Sequence, residues 1–239
     1  IQIEEVGLRP GEKLYEELLT ASGDLRRTPN RKIFVETRPP LDEAEHLKRY
    51  ATMWRLTDDF WDSWPQLKGI FKCAEKWCVH SGPGHWPDLD MLPAGAIRQV
   101  ESPDEWTNFT EAELRTMMTL WCIMPAPLMF GGELTKLDDF TLKLITNASV
   151  LDMLKTTFGG RPLYTHDDEA AWIAPRRDGQ GCYVALFNLS DEPRTVSLPL
   201  ASLDLAPCAA TELWTGVDAP PTLLTANLPP HDAAVWFVI

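Results

Sequence analysis

Residues 54–64 read WRLTDDFWDSW, a stretch in which three aspartates and one arginine stand among three tryptophans. Pyranose rings offer apolar C–H faces that stack on aromatic rings, and their hydroxyls need carboxylate acceptors and charged donors once water is lost. This composition therefore favours a sugar site. Arg55 and Asp59 follow a short predicted strand that ends near Leu56 and precede a predicted helix, which is where β/α enzymes keep their reacting groups.

A helix start is the alternative interpretation of the same residues. Thr57 followed by two aspartates also fits the capped, acidic first turn of a helix. From Trp61 onward the apolar residues recur at helical spacing, which predicts that Trp61 and Trp64 are core residues of that helix. On this interpretation Asp62 is solvated surface.

Two further motifs follow the first one in order. Residues 82–92 read GPGHWPDLDML, and residues 119–134 read TLWCIMPAPLMFGGEL. Together with residues 54–64, they resemble the second half of a glycoside hydrolase family 27 enzyme, a family whose best-known members are α-galactosidases. The resemblance runs from about Pro39 to the C-terminus.

The resemblance implies an α/β plus β fold in three parts. Residues 1–38 are a separate leader with one helix, and residues 39–156 hold the last strands and helices of a partial (β/α)8 barrel. Residues 157–239 form a C-terminal antiparallel β-sandwich. The sequence pattern independently predicts an all-β module there, because short apolar strands separated by turns follow Thr157. Three tryptophans of this part, Trp172, Trp214 and Trp236, could form a lectin-like surface, but alternation along the strands places most of them inward and favours the core.

Local signals place the barrel elements after the second motif. Thr110 and Glu113 form a capping box that predicts a helix running to about Cys122. Residues 127–134 are predicted to be the last barrel strand, whose paired glycines permit a close turn. Residues 138–154 are predicted to be one last helix.

The family resemblance also implies the roles of four residues. The family uses a retaining mechanism. When Arg55 is aligned without a gap to the arginine of the family motif, the family's general acid/base aspartate corresponds to Asp59. The same alignment makes Arg55 a ligand of sugar hydroxyls. Asp90 and Met91 match the family's Asp-Met pair, whose aspartate binds the sugar near the cleavage point. Leu56 stands where animal α-galactosidases often carry a polar residue, which leaves the sugar preference open.

The second carboxylate that retaining hydrolysis needs is missing from the motifs. Such enzymes require two carboxyls about 5 to 5.5 Å apart. The family's nucleophile lies on an earlier strand in a Lys/Tyr-x-Asp context, and residues 1–50 contain no such segment. A complete barrel takes about 250 residues, and residues 39–154 are under half of that. We therefore expect this chain to hold half an active site, without the nucleophile, and to be inactive alone. Its open strand edges would favour a homo-oligomer or binding to a complementing N-terminal barrel half.

The leader resembles a different family. Residues 1–20, IQIEEVGLRPGEKLYEELLT, resemble the C-terminal segment of polysaccharide-biosynthesis 4,6-dehydratases that act on UDP-N-acetylglucosamine. The resemblance places Arg9 against the nucleotide diphosphate and Glu12 against the ribose or base. The alternative, which these residues favour, is a helix over residues 10–19 with one apolar face, followed by a loop rich in Arg, Pro and Asn.

Dehydratase chemistry is not expected from this leader. The glycine-rich dinucleotide turn and the Tyr-x-x-x-Lys pair that such enzymes use are absent from the sequence. Two unrelated families meeting near residues 31–39 indicate a chimeric or truncated reading frame, or a genuine fusion.

Composition excludes several classes of function. The chain has 239 residues and a net charge of −13, which repels phosphate backbones, so no nucleic-acid partner is expected. The longest apolar run is too short and too interrupted by prolines to span a membrane. Five cysteines are expected to be free thiols, and His80 and His85 near Cys78 make a poor zinc pattern, so no metal or cofactor is predicted.

Three functions are open at this point. The first is a retaining glycosidase fragment that acts on a carbohydrate substrate, namely terminal α-galactosides or related sugars. The second is a non-catalytic sugar-binding remnant, and the third is a piece of a nucleotide-sugar dehydratase. The cellular location stays open, with a secreted or periplasmic location expected for a full-length form.

Overall fold

The computed structural model describes residues 24–27, 34–37, 43–98, 105–206 and 208–239. The chain divides into two compact units, Ile1–His46 and Leu47–Ile239. In the first unit, strands β1 (Asp24–Arg27) and β2 (Phe34–Thr37) pair antiparallel. The predicted loop is therefore wrong at these two stretches, the second of which is rich in residues that favour strands. The predicted helix over residues 10–19, with Arg9 and Glu12, lies outside the described residues.

The first part of the barrel region is a β/α/β unit. Helix α1 (Glu43–Tyr50) precedes this unit, whose elements are β3 (Met53–Arg55), α2 (Trp64–Trp77) and β4 (Trp86–Asp88). Strands β3 and β4 pair in parallel with Arg55 opposite Asp88, and a parallel pair needs a crossover of the kind that α2 supplies. The helix α2 buries one apolar face, formed by Leu67, Ile70, Phe71 and Ala74.

A second parallel contact follows the second motif. Leu92 bridges to Phe130 in parallel, and the Gly131 N–H donates to the Leu92 carbonyl at 3.0 Å. A Cβ on Gly132 would lie 2.2 Å from the Ala94 carbonyl oxygen, which explains the need for glycine. This contact supports the predicted position of the last barrel segment, although it forms an isolated bridge rather than a full strand.

Three helices complete the barrel region, and these are α3 (Glu111–Ile123), α4 (Asp139–Thr146) and α5 (Ala148–Thr156). The predicted capping box is confirmed, because Thr110 accepts from the Glu113 N–H while Glu113 accepts from the Thr110 N–H. The prediction of one last helix is wrong. Asn147 breaks it, since its side chain accepts the N–H groups of Ser149 and Val150 as the cap of α5.

The C-terminal part is an all-β module. Its strands are β5 (Arg161–Thr165), β6 (Glu169–Pro175), β7 (Cys182–Asn188), β8 (Arg194–Pro199), β9 (Ala210–Glu212), β10 (Leu223–Leu228) and β11 (Ala233–Val238). Five of them form an antiparallel sheet in the order β5-β6-β7-β11-β9, and β8 pairs with β10 in a second sheet. Trp172 and Trp236 are buried and Trp214 is half-buried, which confirms their predicted inward placement.

The β module packs on the barrel helices through both apolar and charged contacts. The rings of Phe71 on α2 and Phe187 on β7 meet edge to face at 4.9 Å. Arg115 on α3 makes two hydrogen bonds with the Asp232 carboxylate, at 2.9 and 2.8 Å. None of the helices in the described segments has the length and apolarity required to cross a membrane.

Candidate active site

The candidate site lies at the carboxyl ends of β3 and β4. Arg55 is the last residue of β3 and Asp88 is the last residue of β4, and the Leu56 N–H extends the pairing by donating to the Asp88 carbonyl at 3.0 Å. Reacting groups of β/α barrels sit at this end of the strands because the loops that follow them converge there. The predicted site residues Arg55, Asp59 and Asp90 all meet at this edge.

Arg55 joins the two predicted carboxylates through one nitrogen. Its Nη2 contacts Asp59 Oδ1 at 3.3 Å and donates a hydrogen bond to Asp90 Oδ2. The environments of the two carboxylates differ, since the Asp59 side chain is 90% exposed and that of Asp90 is 12% exposed. One carboxylate therefore faces solvent while the other is held inside.

Asp90 is fixed by hydrogen bonds to both its carboxylate and its backbone carbonyl. The Phe60 N–H donates to Asp90 Oδ2 at 2.7 Å, and the Trp121 indole N–H donates to the Asp90 carbonyl at 3.1 Å. The backbone of Asp90 has φ +80°, a left-handed conformation that aspartate tolerates better than most residues. Such backbone conformations concentrate at functional sites, where surrounding contacts hold them.

Asp88 supports Asp90 from within the same strand end. Asp88 Oδ1 accepts the Asp90 N–H at 2.8 Å, and the Asp88 side chain is buried. Burial raises the pKa of Asp88, while the Asp90 N–H and the charge of Arg55 act to lower it. Sequence reasoning gave Asp88 no role, although the Asp-x-Asp spacing in an extended segment signals two carboxylates on one face.

The loop that carries Asp59 is not the start of a helix. Helix α2 begins at Trp64 with Ser63 as its N-cap and Pro65 in its first turn, so the prediction that Thr57 caps this helix is wrong. The prediction that Trp61 is a core residue is also wrong, because Trp61 precedes the helix and is 45% exposed. Trp64 is half-buried within α2.

Asp62 is buried, and the prediction that it is solvated surface is wrong. Its Oδ1 pairs with Arg98 Nη2 at 2.6 Å, and its Oδ2 accepts the Asn108 N–H at 2.5 Å. A carboxylate is buried only where ionic and hydrogen-bond partners replace its water, and both partners lie far along the chain from Asp62. Asp62 therefore anchors the end of the Asp59 loop.

Met91 lies beside Gly131, the first of the paired glycines. A Cβ on Gly131 would stand 2.6 Å from Met91 Sδ, so the thioether packs under that turn. A cavity of about 310 Å³ opens next to Asp59, between its loop and α2, and among its lining residues are Thr57, Asp59 and Gln66. Across the described ranges, no group of three or more His, Cys, Asp or Glu side chains could hold a metal ion.

The comparison with protein families identifies the barrel region. Residues 26–155 match the family described as Alpha galactosidase A. The chain belongs to this family. Residues 166–238 match the alpha galactosidase C-terminal beta sandwich domain, so the resemblance and the fold class inferred from the sequence are both confirmed. Residues 1–38 match the family described as Polysaccharide biosynthesis protein.

Curated alpha-galactosidases are similar over part of their length. The alpha-galactosidase of Cyamopsis tetragonoloba is 30% identical over 172 residues, which cover 70% of this chain and 39% of that protein. The alpha-galactosidase of Oryza sativa subsp. japonica is 24% identical over 79% of this chain and 44% of its own length. The chain thus spans less than half the length of these alpha-galactosidase relatives.

Two solved structures match a similar share of this chain at higher sequence identity. A GH27 β-L-arabinopyranosidase from Geobacillus stearothermophilus is 42% identical with a TM-score of 0.77, over 83% of this chain and 47% of that one. A second crystal structure of that enzyme is a complex with arabinose. A putative α-N-acetylgalactosaminidase from Bacillus halodurans C-125 is 39% identical with a TM-score of 0.67, over 77% of this chain and 46% of that one.

Proposed function

We propose that this chain is the acid/base half of a retaining glycoside hydrolase that acts on terminal α-galactosides or closely related sugars. The observation that carries the proposal is the bridge by which Arg55 joins Asp59 and Asp90 at the strand ends. In this proposal Asp59 is the general acid/base, Arg55 and Asp90 bind sugar hydroxyls, and Met91 borders the sugar. The nucleophile comes from strands outside this chain.

The exposure of Asp59 supports its role in proton transfer. Arg55 holds Asp59 Oδ1, while within the described residues Asp59 Oδ2 makes no hydrogen bond. A general acid must reach the leaving oxygen directly, protonate it, and then take a proton from the water that completes the reaction. An anchored carboxyl group with one open oxygen can carry the proton at that oxygen, donate it to the leaving oxygen, and then, as the carboxylate, take a proton from water.

The contacts of Asp90 favour sugar binding over nucleophilic attack. Asp90 Oδ2 already accepts from Arg55 and from the Phe60 N–H, and these contacts neutralise the carboxylate and fix its direction. Such a group is a poor nucleophile and a good fixed acceptor for a hydroxyl. The remaining nitrogens of Arg55, which make no hydrogen bond to described residues, supply matching donors.

The exposure pattern of β3 supports the requirement for further strands. Trp54 is buried against Trp77 of α2, with ring centroids 6.4 Å apart, whereas Met53 on the opposite face is 47% exposed. In a closed barrel the face opposite the helices is filled by side chains from the other strands. A complementing barrel half, or a second copy of this chain, would cover Met53 and bring further side chains to Arg55.

A β-L-arabinopyranoside is the second candidate substrate. The observation that favours it is the 42% identity to the β-L-arabinopyranosidase, against 24 to 30% for the two curated alpha-galactosidases. L-Arabinopyranose has the ring hydroxyls of D-galactose but lacks the hydroxymethyl group. Arg55 and Asp90 would bind the shared hydroxyls of either sugar.

Sugar binding by the purified chain tests the proposal. We expect methyl α-D-galactopyranoside or methyl β-L-arabinopyranoside to bind in the millimolar range in NMR titrations, because only part of the site is present. Asp90→Asn should weaken this binding at least about tenfold, since loss of a charge-assisted hydrogen bond costs about 1.5 to 3 kcal/mol. Asp168→Asn, which removes a surface partner of Arg194, is the matched control and should change nothing. Binding that is unaffected by Asp90→Asn would refute the proposed site.

A further inference from the structure

Two tryptophans are exposed to solvent, and one of them lies in the loop that carries Asp59. All ten tryptophans of the chain lie in the described residues, and eight of them are buried or half-buried. The other two, Trp61 and Trp106, are each 45% exposed. Exposed indoles are costly in water and are enriched where a ligand covers them. Trp61 lies two residues after Asp59, and the exposure of both indoles therefore requires an explanation.

Burial alternates along the Asp59 loop. Asp59 and Trp61 are exposed, whereas Phe60 and Asp62 are buried. Phe60 packs on Trp121 with ring centroids 5.3 Å apart, and Asp62 pairs with Arg98, so both side chains point into the protein. Asp59 and Trp61 consequently share the solvent side of this segment.

The segment that carries Trp106 runs beside the same loop. Arg98, which pairs with Asp62, also donates from Nη1 to the Trp106 carbonyl at 2.9 Å. Two residues further on, the Asn108 N–H donates to Asp62 Oδ2. The partly buried Arg98–Asp62 pair therefore joins the Trp106 segment to Asp62, the residue that follows Trp61.

We infer that Trp61 and Trp106 form an aromatic platform for the sugar on the leaving-group side of the bond that is cleaved. This inference rests on the proposed role of Asp59, which would protonate the oxygen of the leaving group. Arg55 and Asp90 bind the sugar on the other side of that bond, so the exposed residue two positions after Asp59 faces the leaving group. The apolar C–H face of a second pyranose is the chemistry that fits an exposed indole.

A comparison of two ligands isolates this platform. Methyl α-D-galactopyranoside carries one pyranose, and the disaccharide α-D-galactopyranosyl-(1→6)-D-glucose adds a second one at the leaving-group position. We expect the parent chain to bind the disaccharide about threefold to tenfold more tightly in NMR titrations, the range that one aromatic contact provides. Trp61→Ala and Trp106→Ala should reduce this preference while leaving the affinity for the methyl galactoside unchanged.

Two further variants control for misfolding and for exposed aromatics in general. Trp61→Phe keeps an aromatic face and should retain part of the preference. Phe158→Ala removes another exposed aromatic, which is 41% exposed and stacks with Arg177, and it should retain all of it. Methyl galactoside binding without a disaccharide preference in the parent would overturn the platform while leaving the proposed function intact. A parent chain that binds neither sugar would overturn both.

Discussion

Asp232→Asn perturbs the contact between the β module and α3 at a single charge. The Asp232 side chain is 7% exposed, and it accepts two hydrogen bonds from Arg115 and one from the Ala233 N–H. Its hydrogen bonds are the main cause that raises the pKa of Arg115. An asparagine keeps the shape and one acceptor, but it turns an amide nitrogen towards the guanidinium.

The expected cost follows from these contacts. Breaking a buried ion pair by removing one partner costs about 3 to 5 kcal/mol. Arg115 is 25% exposed, so water can replace part of what it loses, and we expect the free energy of unfolding to fall by about 2 to 3 kcal/mol. With the usual denaturant dependence, the urea midpoint should drop by about 1 M.

Urea unfolding followed by tryptophan fluorescence provides the assay. Asp168→Asn is the control, because Asp168 pairs with Arg194 at 3.1 Å on the surface and should contribute less than about 1 kcal/mol. Equal midpoints for Asp232→Asn and Asp168→Asn would refute the claim that this pair holds the β module on the barrel helices.

Three further predictions concern Asp88 and two glycines. Because burial raises the folded-state pKa of Asp88, its stabilising contribution is present at low pH and is lost as pH rises through that pKa. Asp88→Asn cannot ionise, so its stability relative to wild type should increase from about pH 3 to about pH 7 in thermal unfolding, and a constant difference would contradict this cause. Gly132→Ala should destabilise by about 2 kcal/mol or more because the new Cβ meets the Ala94 carbonyl oxygen. Gly69→Ala, at an open position within α2, should stabilise the protein by about 0.5 to 1 kcal/mol. Similar melting temperatures for the two glycine variants would contradict the prediction, because they would show that the backbone moves to make room for a Cβ at residue 132.

Local sequence signals predicted the elements whose stabilising contacts are also local. The start of α3 is an example, because Thr110 and Glu113 satisfy each other's backbone N–H groups within four residues. The break at Asn147 also had a local signal, since asparagine is a preferred N-cap, but the apolar periodicity on either side obscured it. The β module was predictable for the same reason, because turns and alternation mark each strand.

The Asp59 loop could not be predicted correctly because distant residues decide its conformation. Thr57 and the following aspartates carry the signature of a helix start, yet Phe60 donates its N–H to Asp90, thirty residues away. Asp62 is buried by Arg98, which lies thirty-six residues further along the chain. Motif resemblance suggested roles for Arg55 and Asp59 where periodicity alone favoured a helix.

Hydrolysis of p-nitrophenyl α-D-galactopyranoside by the purified chain is the most direct test of the central claim. The proposed half site has an acid/base in Asp59 and no nucleophile, so we predict no turnover above the rate in buffer. Asp59→Asn should then be indistinguishable from wild type, and the same holds for p-nitrophenyl β-L-arabinopyranoside. Turnover that Asp59→Asn abolishes would contradict the half site, because it would require a nucleophile within this chain or its oligomer.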